Sequence, residues 1–192
     1  DCTKDHPGYK KNRFFLEGDP KAILLLELRG DTLEILKNEL RALQETIINS
    51  GLSYAEIPLW DEEIVLANEL RNAGLGLLGN IVGDSKAVAC IEDTAVPLKQ
   101  LALYIKDFQV LMKEFNQEVV YYAHAGAGEL HLRPILNLKT KKGVEDFKTI
   151  TLAVAYLVKK YKGSLSGEHG DGIVRSEFIP IVVGKENYQL FK

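Results

Sequence analysis

The sequence predicts an α+β fold: a mostly antiparallel sheet with helices packed on one face. Two observations carry this. Apolar runs of strand length alternate with segments whose apolar residues recur at three- and four-residue steps. A glycine-rich turn, Ala125-Gly126-Ala127-Gly128, joins two strand-like runs, the mark of an antiparallel hairpin and an argument against a doubly wound parallel sheet. With 192 residues, 46% of them apolar, the chain can bury one sizeable core with room for two lobes.

A polar, Lys-rich stretch runs to about Lys11, and Ala22-Ile23-Leu24-Leu25-Leu26-Glu27-Leu28 reads as a buried strand. Asp31 is the expected cap of the next helix, Thr32 to Asn49, where Leu33, Leu36, Leu40, Leu43 and Ile47 form one apolar face and Gly51 stops it. A second strand, Ser53 to Ile57, leads through Pro58 into a helix from Asp61 to Ala73. Lys86 to Glu92 is the third strand, Pro97 starts a helix reaching Phe115, and Glu118 to Ala123 enters the hairpin from which Glu129 to Leu136 returns. Val144 to Lys162 is helical, with Phe147, Ile150, Val154 and Leu157 on one face, and the glycine-rich loop 163–172 precedes a short helix. The strand–helix–strand units 22–57 and 86–123 have similar lengths and predict two ferredoxin-like halves.

Composition excludes several function classes. A net charge of −3 with no Lys/Arg cluster interleaved with aromatics argues against nucleic-acid binding. No apolar run approaches the roughly 18 residues of a membrane span and no secretory leader opens the chain, so a cytoplasmic protein is expected. Cys2 and Cys90 are too few for a disulfide framework or zinc knuckle, and Cys90 in Ala-Val-Ala-Cys-Ile reads as a small buried hydrophobe. The chain opens on Asp1 and its single methionine is Met112, which predicts a piece of a longer protein.

Three of the four histidines fall in two places, His124 and His131 around the glycine turn and His169 in Gly167-Glu168-His169-Gly170. With Ala127-Gly128 at the centre of a tight hairpin, His124 faces His131 and Tyr122 faces Arg133, all on one face. Cross-strand Cβ atoms are about 5 Å apart, close enough for two imidazoles to meet on one divalent ion, zinc or a similar metal. Glu168 is the expected third ligand, since flanking glycines let the backbone come close. His169 beside it is a candidate general base, with a plain loop residue as the alternative. Arg133 is a candidate carboxylate clamp, and Arg71, on the helix after Trp60, a second one that a solvated helical arginine would equally explain. Spacing alone leaves open that the histidines are hydrogen-bonded sheet residues and the glycines mere turns. Gly74, Gly76 and Gly79 do not match a dinucleotide loop, lacking both the GxGxxG spacing and a strand before them.

His-Ala-Gly-Ala-Gly-Glu-Leu-His-Leu-Arg-Pro at 124–134, Gly-Ser-Leu-Ser-Gly-Glu-His-Gly-Asp-Gly at 163–172 and Ile91-Glu92-Asp93-Thr94-Ala95-Val96-Pro97 together resemble the C-terminal substrate domain of FAD-linked oxidases. This family includes glycolate oxidase D subunits, D-lactate dehydrogenases and D-2-hydroxyglutarate dehydrogenases. His6-Pro7-Gly8-Tyr9, Arg13 to Pro20 and Arg175-Ser176-Glu177 are most similar to large bacterial members fused to an iron–sulfur protein. The resemblance implies an α+β cap domain spanning 1–192, with FAD held chiefly by a separate N-terminal domain that this chain lacks, and a fragment inactive alone. It implies His124, His131 and Glu168 as ligands of a divalent metal, zinc or manganese, and His169 as the base that takes the 2-hydroxyl proton of a D-2-hydroxy acid. Expected partners are the 2-hydroxy acid, the FAD domain and an iron–sulfur electron-transfer module, with any membrane association peripheral and through partners. Many relatives carry Asp-Gly-Asn where this chain has Ala127-Gly128-Glu129, and Asn where Arg133 stands. The extra arginine suits a substrate with a second carboxylate, such as D-2-hydroxyglutarate. A self-sufficient metal hydrolase using the same residues and a non-catalytic binding or interaction module are the competing expectations.

Overall fold

Chain packing in a computed structural model, which describes residues 3–4 and 6–191, divides the protein into two units, Asp1–Leu77 and Leu78–Lys192. Cys2 lies outside the described residues.

The N-terminal unit holds two helices, α1 (Leu33–Ser50) and α2 (Glu62–Leu77). Thr32, not Asp31, caps α1, its Oγ1 accepting from the Ile35 N–H at 3.2 Å, and Gly51 ends the helix in the left-handed region as expected. Neither expected strand forms: 22–28 and 53–57 are irregular, and Ile23, Leu24, Leu25 and Leu26 are exposed. A strand needs a neighbour to satisfy its backbone groups, and among the described residues nothing pairs with either segment. The first of the two predicted ferredoxin-like halves therefore has its helix without its sheet. A small core of Phe15, Ala67 and Leu70 is stitched by Asn12, whose Nδ2 donates to the Leu66 carbonyl at 3.0 Å and to Glu69 at 2.9 Å.

The C-terminal unit carries the expected antiparallel sheet: β1 (Lys86–Ala87), β2 (Ile91–Ala95), β3 (Val119–His124) and β4 (Glu129–Leu136), with β4 central. The predicted third strand is broken into β1 and β2, although the Val88 N–H still donates to the Pro134 carbonyl at 2.9 Å. Alternation along β4 sends Leu130, Leu132 and Leu136 into the core against α3 (Leu101–Glu114) and α4 (Lys141–Lys160), through Tyr104, Phe108, Met112, Ile150, Val154 and Val158. Helices thus cover one sheet face, and α4 starts earlier than predicted because Thr140 caps it, Oγ1 accepting from Gly143 N–H at 3.0 Å. Short helices α5 (Gly172–Arg175), α6 (Ile179–Val183) and α7 (Lys185–Gln189) finish the chain. No helix among the described residues is long and apolar enough to cross a membrane.

Two irregularities set up the other face. The hairpin is not a two-residue turn: a 3₁₀ turn over Ala125–Ala127 and Gly128 at φ +74° separate the strands, so His124 pairs with Glu129, Tyr122 with His131 and Val120 with Arg133. The expected register is off by two residues. A side chain at 128 would meet the Val96 carbonyl oxygen at 2.2 Å, so glycine is required there for both space and conformation. On β2 the pairing shifts between Glu92 and Thr94, leaving Asp93 as an extra residue at φ +75°. Ile91 and Thr94 pair with core-facing Leu132 and Leu130, whereas Glu92 pairs with His131.

Candidate active site

The face of β4 opposite the core carries Glu129, His131 and Arg133, one on every second residue. β3 places His124 and Tyr122 beside them, β2 adds Glu92, and the loop 163–172 brings Glu168 and His169 over the top. The loop is held by backbone bonds to the outer edge of β2: Ala95 and Ser164 exchange N–H···O bonds at 3.0 and 2.8 Å, and the Gly167 N–H donates to the Asp93 carbonyl at 2.7 Å.

His124 and His131 come together as expected despite the changed register, their ring centroids 5.3 Å apart. A slip of two residues keeps every side chain on its face, so the pair is diagonal instead of directly opposed. Glu168 joins them: its Oε1 lies 3.6 Å from His124 Nε2 and 3.7 Å from His131 Nε2. His169 stacks on His131 at 5.2 Å between centroids, with Nε2 3.3 Å from Glu168 Oε1 and Nδ1 3.7 Å from Glu92 Oε1. Glu168 and His169 are about half exposed, whereas His131 is buried.

Sequence reasoning assigned no role to the residues that hold this group. Asp93, fully buried, accepts from the Glu168 N–H at 2.9 Å, the His169 N–H at 2.8 Å and the Ser166 hydroxyl, and faces Arg175 at 3.6 Å. Burial alone would raise the Asp93 carboxyl, yet hydrogen bonds from Ser166, Glu129 and these two amides hold it well below the usual carboxylate range. Glu129 moves the other way, pushed up to about 7 by burial, by sharing a hydrogen bond with Asp93 and by the charges of Glu168 and Asp93. Burial lowers His131, outweighing the attraction of Glu92, so its imidazole stays neutral with a lone pair to donate. The one signal for these carboxylates in the sequence was Glu92-Asp93 inside an apolar strand, two acids where alternation allows one.

Arg133 reaches the site but is already engaged, its Nη2 2.7 and 2.6 Å from the two carboxylate oxygens of Glu92. Its buried Nε has no partner among the described residues, and the side chain as a whole is 19% exposed, so it is the rest of the guanidinium that another acceptor can reach. Arg71 is half-buried on α2 in the N-terminal unit, while every group described above belongs to the C-terminal unit.

The donor set fits a divalent ion. One atom each of His124, His131 and Glu168 lie within 4.8 Å of one another, and the 3.6–3.7 Å separations to Glu168 approach the ~3.4 Å edge of a tetrahedron with centre-to-corner distance near 2.1 Å. Two imidazole nitrogens and a carboxylate oxygen are the donors a first-row ion takes while keeping a position open. By contrast, no phosphate cradle comes from Gly74 and Gly76, which are helical in α2, or from Gly79 in the following 3₁₀ turn.

Residues 2–192 match the family described as FAD linked oxidases, C-terminal domain. A D-2-hydroxyglutarate dehydrogenase of Pseudomonas putida is 41% identical over 124 residues, 65% of this chain and 12% of that protein. One of Haemophilus influenzae is 45% identical over 109 residues, 57% and 10% respectively. Glycolate oxidase subunit GlcD of Bacillus subtilis is 22% identical over 172 residues, covering 90% of this chain and 36% of that protein. The matched stretch thus spans only about a tenth of the length of these two D-2-hydroxyglutarate dehydrogenases.

Proposed function

Because the chain belongs to the FAD-linked oxidases, as their C-terminal domain, we propose that it is the substrate- and metal-binding part of an FAD-dependent D-2-hydroxy acid dehydrogenase. The observation that carries this is the convergence of His124, His131 and Glu168 on one sheet face with His169 stacked beside them. The names of its relatives, D-2-hydroxyglutarate dehydrogenase, glycolate oxidase and D-lactate dehydrogenase, share a 2-hydroxy acid as the reacting group.

His124, His131 and Glu168 hold the divalent ion, zinc or manganese, which when bound supplies positive charge for the hydroxyl and carboxylate of the substrate. FAD, held by a separate domain, supplies the hydride acceptor. His169 takes the 2-hydroxyl proton on its imidazole as the C2 hydrogen leaves as hydride and the C–O bond becomes C=O. Asp93 fixes where that imidazole stands through the His169 amide, and Glu92 flanks it from the sheet side. Arg133 pairs with the second carboxylate of a diacid through the exposed part of its guanidinium, beside Glu92. Arg71 remains a second candidate for substrate contact in the assembled protein. Electrons leave through an iron–sulfur module, and the enzyme works in the cytoplasm, reaching a membrane only through partners.

Elemental analysis of the full-length protein purified without chelator tests the metal assignment. Near one zinc or manganese per chain is expected, lost in both His124→Ala and Glu168→Ala; a full complement in either variant would refute the ligand set. Substrate class is tested by Arg133→Ala, expected to lower kcat/KM for D-2-hydroxyglutarate about tenfold more than for D-lactate, the worth of one charge-assisted contact. Equal losses on the two would remove Arg133 from diacid recognition.

A further inference from the structure

Three carboxylates, Asp93, Glu129 and Glu168, crowd one side of His131, and only two are accounted for. Asp93 is saturated by the loop it holds, and Glu168 faces both imidazoles. Glu129 is only half so: it shares a hydrogen bond with Asp93, but its side chain is 9% exposed and its Oε1 has no hydrogen-bond partner among the described residues. A carboxylate oxygen left buried and unpaired is costly, and either a proton or a cation relieves it.

The position of Glu129 shows where that cation would be. It is the cross-strand partner of His124 and lies two residues before His131, so the hairpin presents all three on one face. Glu129 Oε1 lies 3.8 Å from His131 Nε2, the same nitrogen that stands 3.7 Å from Glu168 Oε1. The Gly167 backbone presses on it from above, since a Cβ there would be 3.1 Å from both Cγ and Cδ of Glu129. The side chain is confined between loop and sheet, with one oxygen within 4.8 Å of ligand atoms of His131 and Asp93, so sharing one ion with His124 and Glu168 requires these side chains to draw together around it.

We infer that Glu129 is a fourth protein ligand of the divalent ion, making the centre a two-histidine, two-glutamate site. The inference rests on the metal assignment proposed above and extends it. Two carboxylates neutralise a divalent ion fully and harden the donor set, which favours manganese relative to zinc over what two histidines and one glutamate would do.

The test uses full-length protein stripped of metal, titrated with Mn²⁺ and with Zn²⁺ alone, comparing wild type with Glu129→Gln and His124→Ala. The expected result is a Mn²⁺ dissociation constant at least about tenfold higher in Glu129→Gln, with a smaller loss for Zn²⁺. Metal-free Glu129→Gln should melt no lower than wild type, because one of three crowded carboxylates loses its charge; a purely structural glutamate would instead lower that melting point and leave affinity alone. If glutamine unfolds the protein, Glu129→Asp replaces it, and the same tenfold criterion applies because the shortened carboxylate no longer reaches. Affinities within about twofold of wild type, alongside loss of both ions in His124→Ala, overturn the fourth ligand and leave the three-residue centre standing. Failure of wild type to take up either ion overturns the metal assignment itself, and this inference with it.

Discussion

Full-length protein carrying His169→Asn is expected to turn over its 2-hydroxy acid about 10² to 10⁴ times more slowly than wild type at saturating substrate, with its metal content unchanged. The two halves of that result separate base from ligand. His169 stands outside the group formed by His124, His131 and Glu168, stacked on the back of His131 at 5.2 Å, so its removal leaves those three donors in place. Its backbone N–H is fixed by Asp93 at 2.8 Å whatever the side chain is, so asparagine does not release the loop. Its ring is half exposed on the open side of the cluster, where an incoming hydroxyl can reach it. Asparagine keeps a polar group there but accepts no proton at neutral pH, and the loss should fall on kcat more than on KM. The measurement is the rate of flavin bleaching after rapid mixing with substrate, paired with elemental analysis. A rate within about threefold of wild type would move the base elsewhere. Loss of metal in the same variant would make His169 a ligand, its imidazole then serving with Glu92 and His131, a second grouping whose ligand atoms also lie within 4.8 Å of one another.

How much of this was legible in the sequence depends on which period was being read. The alternation Leu130, Leu132, Leu136 defines β4 and its faces, and with it the pairing of His131 and Arg133 on one side. The helical stripe around Ile150 and Val154 likewise survives as α4. Turn geometry was less accessible, because Gly126 and Gly128 permit either a two-residue or a longer loop; the 3₁₀ turn won, and the site survived only because the slip was even. Bulges break alternation without announcing themselves, which is why the sequence alone assigns Glu92 and Asp93 no task. The Ile23–Leu26 run illustrates the opposite failure, apolar enough for a strand yet unpaired, since strand formation is decided by a partner and not by composition.

Asp93→Ala should destabilise the C-terminal unit by about 3–5 kcal/mol and abolish the proposed metal binding, because one buried carboxylate holds both Glu168, the proposed ligand, and His169, the proposed base. Alanine strands the Ser166 hydroxyl and two loop amides, and leaves buried Arg175, 3.6 Å away, with only Asp171 at 4.0 Å as countercharge. It also forces a Cβ-bearing residue with no local side-chain bonding to keep φ +75° at the bulge. Asp93→Asn keeps the shape and one acceptor oxygen but points an amide N–H₂ at the loop donors, so it should fall between wild type and alanine. The sign of the pH dependence follows from the direction of the shift. The folded protein holds Asp93 below its ordinary value of 3.8, so the stabilisation is complete above that value and is lost as the pH falls through the lower folded one. Asp93's own contribution to the gap between wild type and Asp93→Asn should therefore be lost only in strong acid, while the Glu129 carboxyl, pushed up to about 7 partly by Asp93, should narrow the gap as the pH rises through neutral. Thermal melts of the metal-free full-length proteins, followed by metal titration, check both claims. If Asp93→Ala melts within a few degrees of wild type and still binds metal, the loop is shaped by its own glycines and by the Arg175 bond to the Gly170 carbonyl at 2.6 Å, and the bulge is not what couples sheet to site.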